Sequence, residues 1–123
     1  MPIQSPEAVC PRFHRAVELI GKRWTGAVLH TLLNGRTRFN AIAAAIPDLS
    51  DRMLAERLRE LEHEGIIARL VIPDTPVRVE YELTDKGRAL DDALGAISRW
   101  AHIWGDPPPF PADASAPDAG VNG

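Results

Sequence analysis

A mainly α-helical domain carrying one small β-hairpin is what the 123-residue sequence predicts. Three observations point to it. Apolar residues recur at three- and four-residue spacing in several separate segments, each closed by a helix-stop signal. Two of these segments are joined by the tight turn Ile46–Leu49. Finally, Val77–Leu83 alternates apolar with polar residues, the period of a half-exposed strand, after a second strand-like run at Ile66–Ile72.

The first helix is expected to open at Cys10-Pro11, with cysteine at the cap and proline at the first helical position, and to close at Gly21. Phe13, Ala16, Val17, Leu19 and Ile20 supply its apolar stripe. A second helix is predicted from about Arg23 to Leu33, with Trp24, Ala27, Val28, Thr31 and Leu32 inward and Asn34-Gly35 as the stop. Thr37 is read as the cap of a short third helix over 38–45, on which Phe39 and Ile42, with Ile46 just beyond, are apolar. Ser50 caps a fourth helix from Asp51 to about His63, striped by Leu54, Leu58 and Leu61 and closed by Gly65. Between the two strands, Pro73-Asp74-Thr75-Pro76 is too rich in proline for a ladder and forms the hairpin tip. Thr84 caps a single last helix through Leu90, Leu94, Ile97, Trp100 and Trp104. The domain is expected over 10–104, between a flexible arm (1–9) and a disordered tail (105–123) of proline, alanine, aspartate, glycine and serine.

Composition narrows the function. Hydrophobic content of 45% and charged content of 25% suit a globular chain. No apolar stretch approaches the ~20 residues of a membrane span, and Met1–Val9 lacks a basic start and a long apolar run. With one cysteine no internal disulfide is possible, which fits a reducing compartment, so a cytoplasmic protein without a membrane partner is expected. His14, His30, His63 and His102 are scattered, without paired carboxylates or metal spacing, and no glycine-rich phosphate loop occurs. Neither catalysis, metal nor cofactor is expected.

The net charge of −3 hides an uneven distribution. From Pro11 to Arg59 nine basic residues face four acids, giving +5, while the remainder carries five basic and thirteen acidic residues, giving −8. A basic segment on an acidic body can bind phosphate locally, although ordinary solvated helix faces would read the same way.

Two helices joined by a tight turn and followed by a hairpin describe a winged helix-turn-helix, in which the second helix of the pair enters the major groove. Opposite the leucine stripe, the fourth helix carries Arg52, Glu56 and Arg59, flanked by Met53 and Arg57. Arginine suits bidentate recognition of guanine, and glutamate can accept from cytosine N4. Arg52, in the first turn beside Ser50, is the foremost candidate for base readout, while the competing reading is an exposed Arg52–Glu56 ion pair. Ser50 could meet a phosphate besides capping. Arg38 is a candidate phosphate contact, and Arg78 and Thr75 are candidate wing contacts.

These residues also resemble a known family. Cys10-Pro11, Leu19-Ile20-Gly21-Lys22-Arg23-Trp24 and Gly35-x-x-Arg38-Phe39 are similar to blocks of the HxlR-type (MarR-like) bacterial transcriptional regulators. So are Leu49-Ser50-x-x-Met53-Leu54-x-x-x-Leu58-x-x-Leu61-Glu62-x-x-Gly65-Ile66-Ile67 and Pro76-x-x-Val79-Glu80-Tyr81-x-Leu83-Thr84-x-x-Gly87. The likeness spans Cys10 to about Trp104. It implies a homodimer on a pseudo-palindromic operator in double-stranded DNA, usually as a repressor, with Arg23 supplying the basic residue before the tryptophan. It also implies dimer contact through the terminal helices, for which Phe13, Ile97, Trp100 and Trp104 are the candidates. The sequence departs from the family pattern at Lys22, where a glycine is usual, and at Glu56, where glutamine is common.

Some members of that family sense oxidants or electrophiles at the position of Cys10. A thiol at a helix N-terminus with Arg12 close by is expected to be a better nucleophile than an isolated one. A lone cysteine can join only a second subunit or a small thiol. Two other readings stay open at this point: a small-molecule effector in a dimer pocket, and a winged helix that binds protein without operator preference.

Overall fold

The computed structural model describes residues 8–106. The arm expected over 1–9 and the tail expected over 105–123 lie outside these residues, apart from positions 8, 9, 105 and 106.

Helix α1 (Pro11–Ile20) follows an extended Cys10 and carries proline in its first turn, as the sequence predicts. None of its residues is buried; only Leu19 leans on the core. Its C-terminal turn closes with the Gly21 amide donating to the Val17 carbonyl at 2.7 Å, and a Cβ on Gly21 would stand 2.7 Å from that same oxygen.

Helix α2 (Thr25–Leu33) starts two residues later than expected. The reason is Trp24, which adopts a left-handed conformation with φ 76° and so cannot belong to either helix. A bulky side chain in that region costs on the order of 1–3 kcal/mol. The buried face of α2 is Thr25, Val28, Leu29 and Leu32, so Leu29 replaces Trp24, Ala27 and Thr31, which are half-buried.

Strand β1 (Thr37–Arg38) was not anticipated; it pairs antiparallel with the second hairpin strand, Thr37 opposite Tyr81 and Arg38 opposite Glu80. Thr37 is therefore not a helix cap. Helix α3 (Phe39–Ala45) begins after Arg38 without a side-chain cap and buries Ile42. The turn into the next helix places Asp48 at φ 68° and buries Ile46 and Leu49.

Helix α4 (Asp51–His63) matches its expected limits. The Ser50 hydroxyl accepts from the Met53 amide at 3.0 Å, and Leu54, Leu58 and Leu61 are 0–2% exposed. Gly65 turns the chain at φ 75°. Strands β2 (Ile67–Ile72) and β3 (Arg78–Leu83) form the hairpin, with Ile67 opposite Leu83 and Ile72 opposite Arg78. The sheet order is β1-β3-β2.

The single last helix is instead two: α5 (Asp85–Arg88) and α6 (Asp91–Trp104), broken at Ala89-Leu90. Thr84 caps only α5, its hydroxyl accepting from the Gly87 amide at 3.2 Å while donating to the Gly65 carbonyl at 2.6 Å. One hydroxyl thus ties the end of α4 to the start of α5. Gly87 presses so closely on the residue leading into β2 that a Cβ would lie 2.2 Å from the Ile66 carbonyl oxygen. The core is the apolar cluster where α2, α3, α4 and the hairpin meet; its centre is Val28, Leu29, Ile42, Leu54 and Leu58. No helix among the described residues is long and apolar enough to cross a membrane.

Candidate nucleic-acid interface

Helix α4 divides its residues between two tasks. Its leucines are sealed into the core, which leaves the opposite face in solvent. On that face Arg52, Glu56 and Arg59 are exposed, and none forms an ion pair among the described residues. The competing reading of an Arg52–Glu56 pair is therefore absent from this structure. Ser50 sits exposed at the N-terminus of the helix, with its hydroxyl already committed to the cap. Met53 is half-buried and packs on the core.

Arg57, expected to flank the outward face, turns into the fold instead. Its side chain is 13% exposed, and its guanidinium is held inside the fold. Nε donates to the Arg23 carbonyl at 2.9 Å, and Nη1 donates to both carboxylate oxygens of Glu60 at 3.2 Å. Glu60 also takes the Lys22 ammonium at 3.2 Å. The side chain of Arg23 stacks over the Trp24 ring, 5.3 Å from its centroid.

The wing carries a compact charge network. Arg78 reaches Asp74 and, through Nε at 2.8 Å, Glu80; the second oxygen of Glu80 takes Arg36 at 2.9 Å. The hydrogen bond from Arg78 holds the Glu80 carboxyl below its ordinary range, helped by the fields of Arg36, Arg78 and Arg38, and Arg78 is in turn driven further toward its charged form by Glu80 and Asp74. Arg38 is exposed where β1 passes into α3 and borders, with Arg36, Thr37, Asn40, Ala41 and Glu80, a shallow polar depression. Thr75 is exposed at the hairpin tip. Arg36 and Glu60 were not singled out from sequence, and Lys22 and Glu80 stood out only within the family blocks, with no partner assigned. For Glu80 a signal existed: residues two apart on a strand share a face, which places it beside Arg78.

The termini of the domain present a different surface. Phe13, Val17, Ile97, Trp100, Ile103 and Trp104 are each more than half exposed, with Trp104 at 74%. Four of them lie on α6, whose residues are all at least partly exposed. Cys10 is a free, half-buried thiol at the start of α1, and its side chain makes no cap bond.

The profile of the HxlR-like helix-turn-helix family matches residues 19–108. The chain is 58% identical over 99 residues to the HTH-type transcriptional regulator YvaP of Bacillus subtilis (strain 168), spanning 80% of this chain and 92% of YvaP. It is 46% identical over 99 residues to the HTH-type transcriptional regulator YodB of the same organism, spanning 80% and 88%. The reduced form of B. subtilis YodB superposes with a TM-score of 0.74 at 44% identity, covering 82% of this chain and 99% of that one. Quinone-bound YodB superposes with a TM-score of 0.69 at 42% identity, covering 78% and 100%.

Proposed function

This chain belongs to the HxlR-like helix-turn-helix family and is a transcriptional regulator of that type, and from that premise we propose that it binds a pseudo-palindromic DNA operator as a homodimer, acting as a repressor, with α4 in the major groove. The observation that carries this reading is the outward face of α4, where Arg52, Glu56 and Arg59 stand exposed with no charge partner among the described residues. A helix whose other face is wholly committed to the core can present those groups to base edges without rearrangement. Arg52 reads bases from the first turn. Ser50 and Arg38 meet phosphate, with Arg59 flanking, and the wing approaches through Arg78 and Thr75. Met53 and Arg57 support the helix from its sides, and Arg23 stays at the turn between α1 and α2.

Homodimerisation proceeds through Phe13 on α1 and Ile97, Trp100 and Trp104 on α6. An apolar surface of that extent is uncommon on a free monomer. Sedimentation of the full chain should show a dimer, and Trp104→Ala should weaken self-association at least tenfold, as expected for a buried aromatic anchor.

Control by thiol chemistry at Cys10 extends the reading, supported by the quinone-bound and diamide-treated forms in which YodB has been crystallised. Addition of the Cys10 sulfur to a quinone ring carbon forms one C–S bond and leaves the ring as a hydroquinone thioether. With diamide, two thiols are oxidised to a disulfide, here between two subunits or with a small thiol, and diamide is reduced to the hydrazine.

The test is a gel shift on the DNA upstream of the protein's own gene against unrelated DNA at ~150 mM salt, where phosphate contacts alone no longer mimic affinity. Selective binding weakened by Arg52→Ala supports base readout by α4, and loss of binding after diamide that is absent in Cys10→Ser supports the thiol control. Equal weak binding to both DNAs would instead favour a winged helix that binds protein.

A further inference from the structure

We propose that Arg57 is a positioning residue that ties α4 to the left-handed elbow at Trp24 and thereby fixes the angle at which α4 is presented; this rests on the DNA-binding reading above.

The elbow is where α1 turns into α2, and its peptide plane between Arg23 and Trp24 is set by rotation about the φ of Trp24, which stands at 76°. The carbonyl of that same plane is the one that Arg57 grips, at 2.9 Å. Glu60, one turn further along α4, holds Arg57 through both oxygens and Lys22 through one of them. The two α4 residues therefore seize the elbow on both sides, by its backbone at Arg23 and by its side chain at Lys22. Arg57 is mostly withdrawn from solvent, so these charge-assisted bonds are less screened than surface pairs.

The elbow is also held by Leu19 and Trp24, which pack against the core, and by the Thr25 amide donating to the Lys22 carbonyl at 3.0 Å. Helix α1 itself buries no residue and reaches the C-cap of α4 through the exposed Arg15–Glu64 pair at 3.2 Å. Arg52 and Arg59, on the same helix, have no comparable internal partner among the described residues.

The full chain labelled with 5-fluorotryptophan tests this by fluorine NMR, the Trp24 resonance being assigned by its loss in Trp24→Phe. In the DNA-free protein Arg57→Met should shift the Trp24 resonance and leave those of Trp100 and Trp104 in place. Affinity for a duplex selected from a random pool by the wild-type protein should fall about tenfold, while the slope of log affinity against log salt stays unchanged. Glu60→Gln should move both readouts in the same direction by less. Arg57→Lys should not restore them, because one ammonium cannot reach the carbonyl and fork onto Glu60 together. A Trp24 resonance that stays put in folded Arg57→Met would overturn the tie. A moved resonance with unchanged affinity would overturn the positioning role, and a slope lower by about one would make Arg57 a phosphate contact instead. Should Arg57→Met fail to fold, Glu60→Gln carries the same two readouts. If the wild-type protein selects no sequence, the DNA-binding reading falls, and the resonance still decides the tie to the elbow.

Discussion

Arg78 meets Glu80 on the same face of β3, Nε to Oε2 at 2.8 Å, and Glu80 at the same time holds Arg36 at 2.9 Å. The wing's basic groups are thus partly neutralised by one carboxylate before any phosphate arrives. In the proposed DNA-binding role, a phosphate at the wing has to compete with Glu80 for both guanidinium groups.

Removing that competition has a definite consequence. Glu80→Gln should raise affinity for duplex DNA at low salt and steepen the salt dependence by about one counterion, as each freed arginine becomes available to phosphate. Titration of binding against salt for the two proteins checks this. Identical slopes would mean that the wing does not approach the DNA.

The same carboxylate should mark the acid limb of stability. Its folded-state ionisation is favoured by Arg78 and Arg36, so the stability it contributes is fully present above the ordinary carboxylate pKa. That contribution is lost as the pH falls through the lowered folded value. Between pH 7 and about pH 3 the melting temperature of Glu80→Gln should therefore fall less than that of the wild-type protein, measured by circular dichroism.

Ser50→Ala removes the acceptor for the Met53 amide at the start of α4. A loss of about 1 kcal/mol is expected, a drop of roughly 4–8 °C in melting temperature for a domain of this size. Ser50→Asp, which restores an acceptor and adds a favourable charge at the helix start, should recover most of it.

Two glycines should respond in opposite directions. A Cβ at Gly87 collides with the Ile66 carbonyl at 2.2 Å, a backbone atom that cannot step aside, so Gly87→Ala should cost about 1–3 kcal/mol. Gly26, within α2, has open space where a Cβ would stand, and Gly26→Ala should stabilise by roughly 0.5–1 kcal/mol. Thermal melts of the two variants decide both, and a stable Gly87→Ala protein would show that β2 and α5 can move apart.

What the sequence made legible was whatever local pattern determines. The leucine stripe and Ser50 fix α4 to the residue, and stepping around the helix finds Arg52, Glu56 and Arg59 in solvent. The features that escaped depend on distant partners. β1 is two residues long and exists because Tyr81 and Glu80 lie opposite it. Trp24 is left-handed because α1 and α2 must turn there, and nothing in a tryptophan announces it. Arg57 looks by periodicity like its neighbours, yet its acceptor is a carbonyl 34 residues earlier. The break at Ala89-Leu90 carries neither proline nor glycine, the residues by which a helix end is usually read.

The exposed face of α4 makes no contact that the fold requires, since Arg52, Glu56 and Arg59 have no internal partners among the described residues. Changes there leave the buried leucines, the Ser50 cap and the Arg57 anchor untouched. If α4 reads DNA as proposed, a duplicated copy of the gene can drift toward a new target sequence one codon at a time without losing the packing that holds the helix.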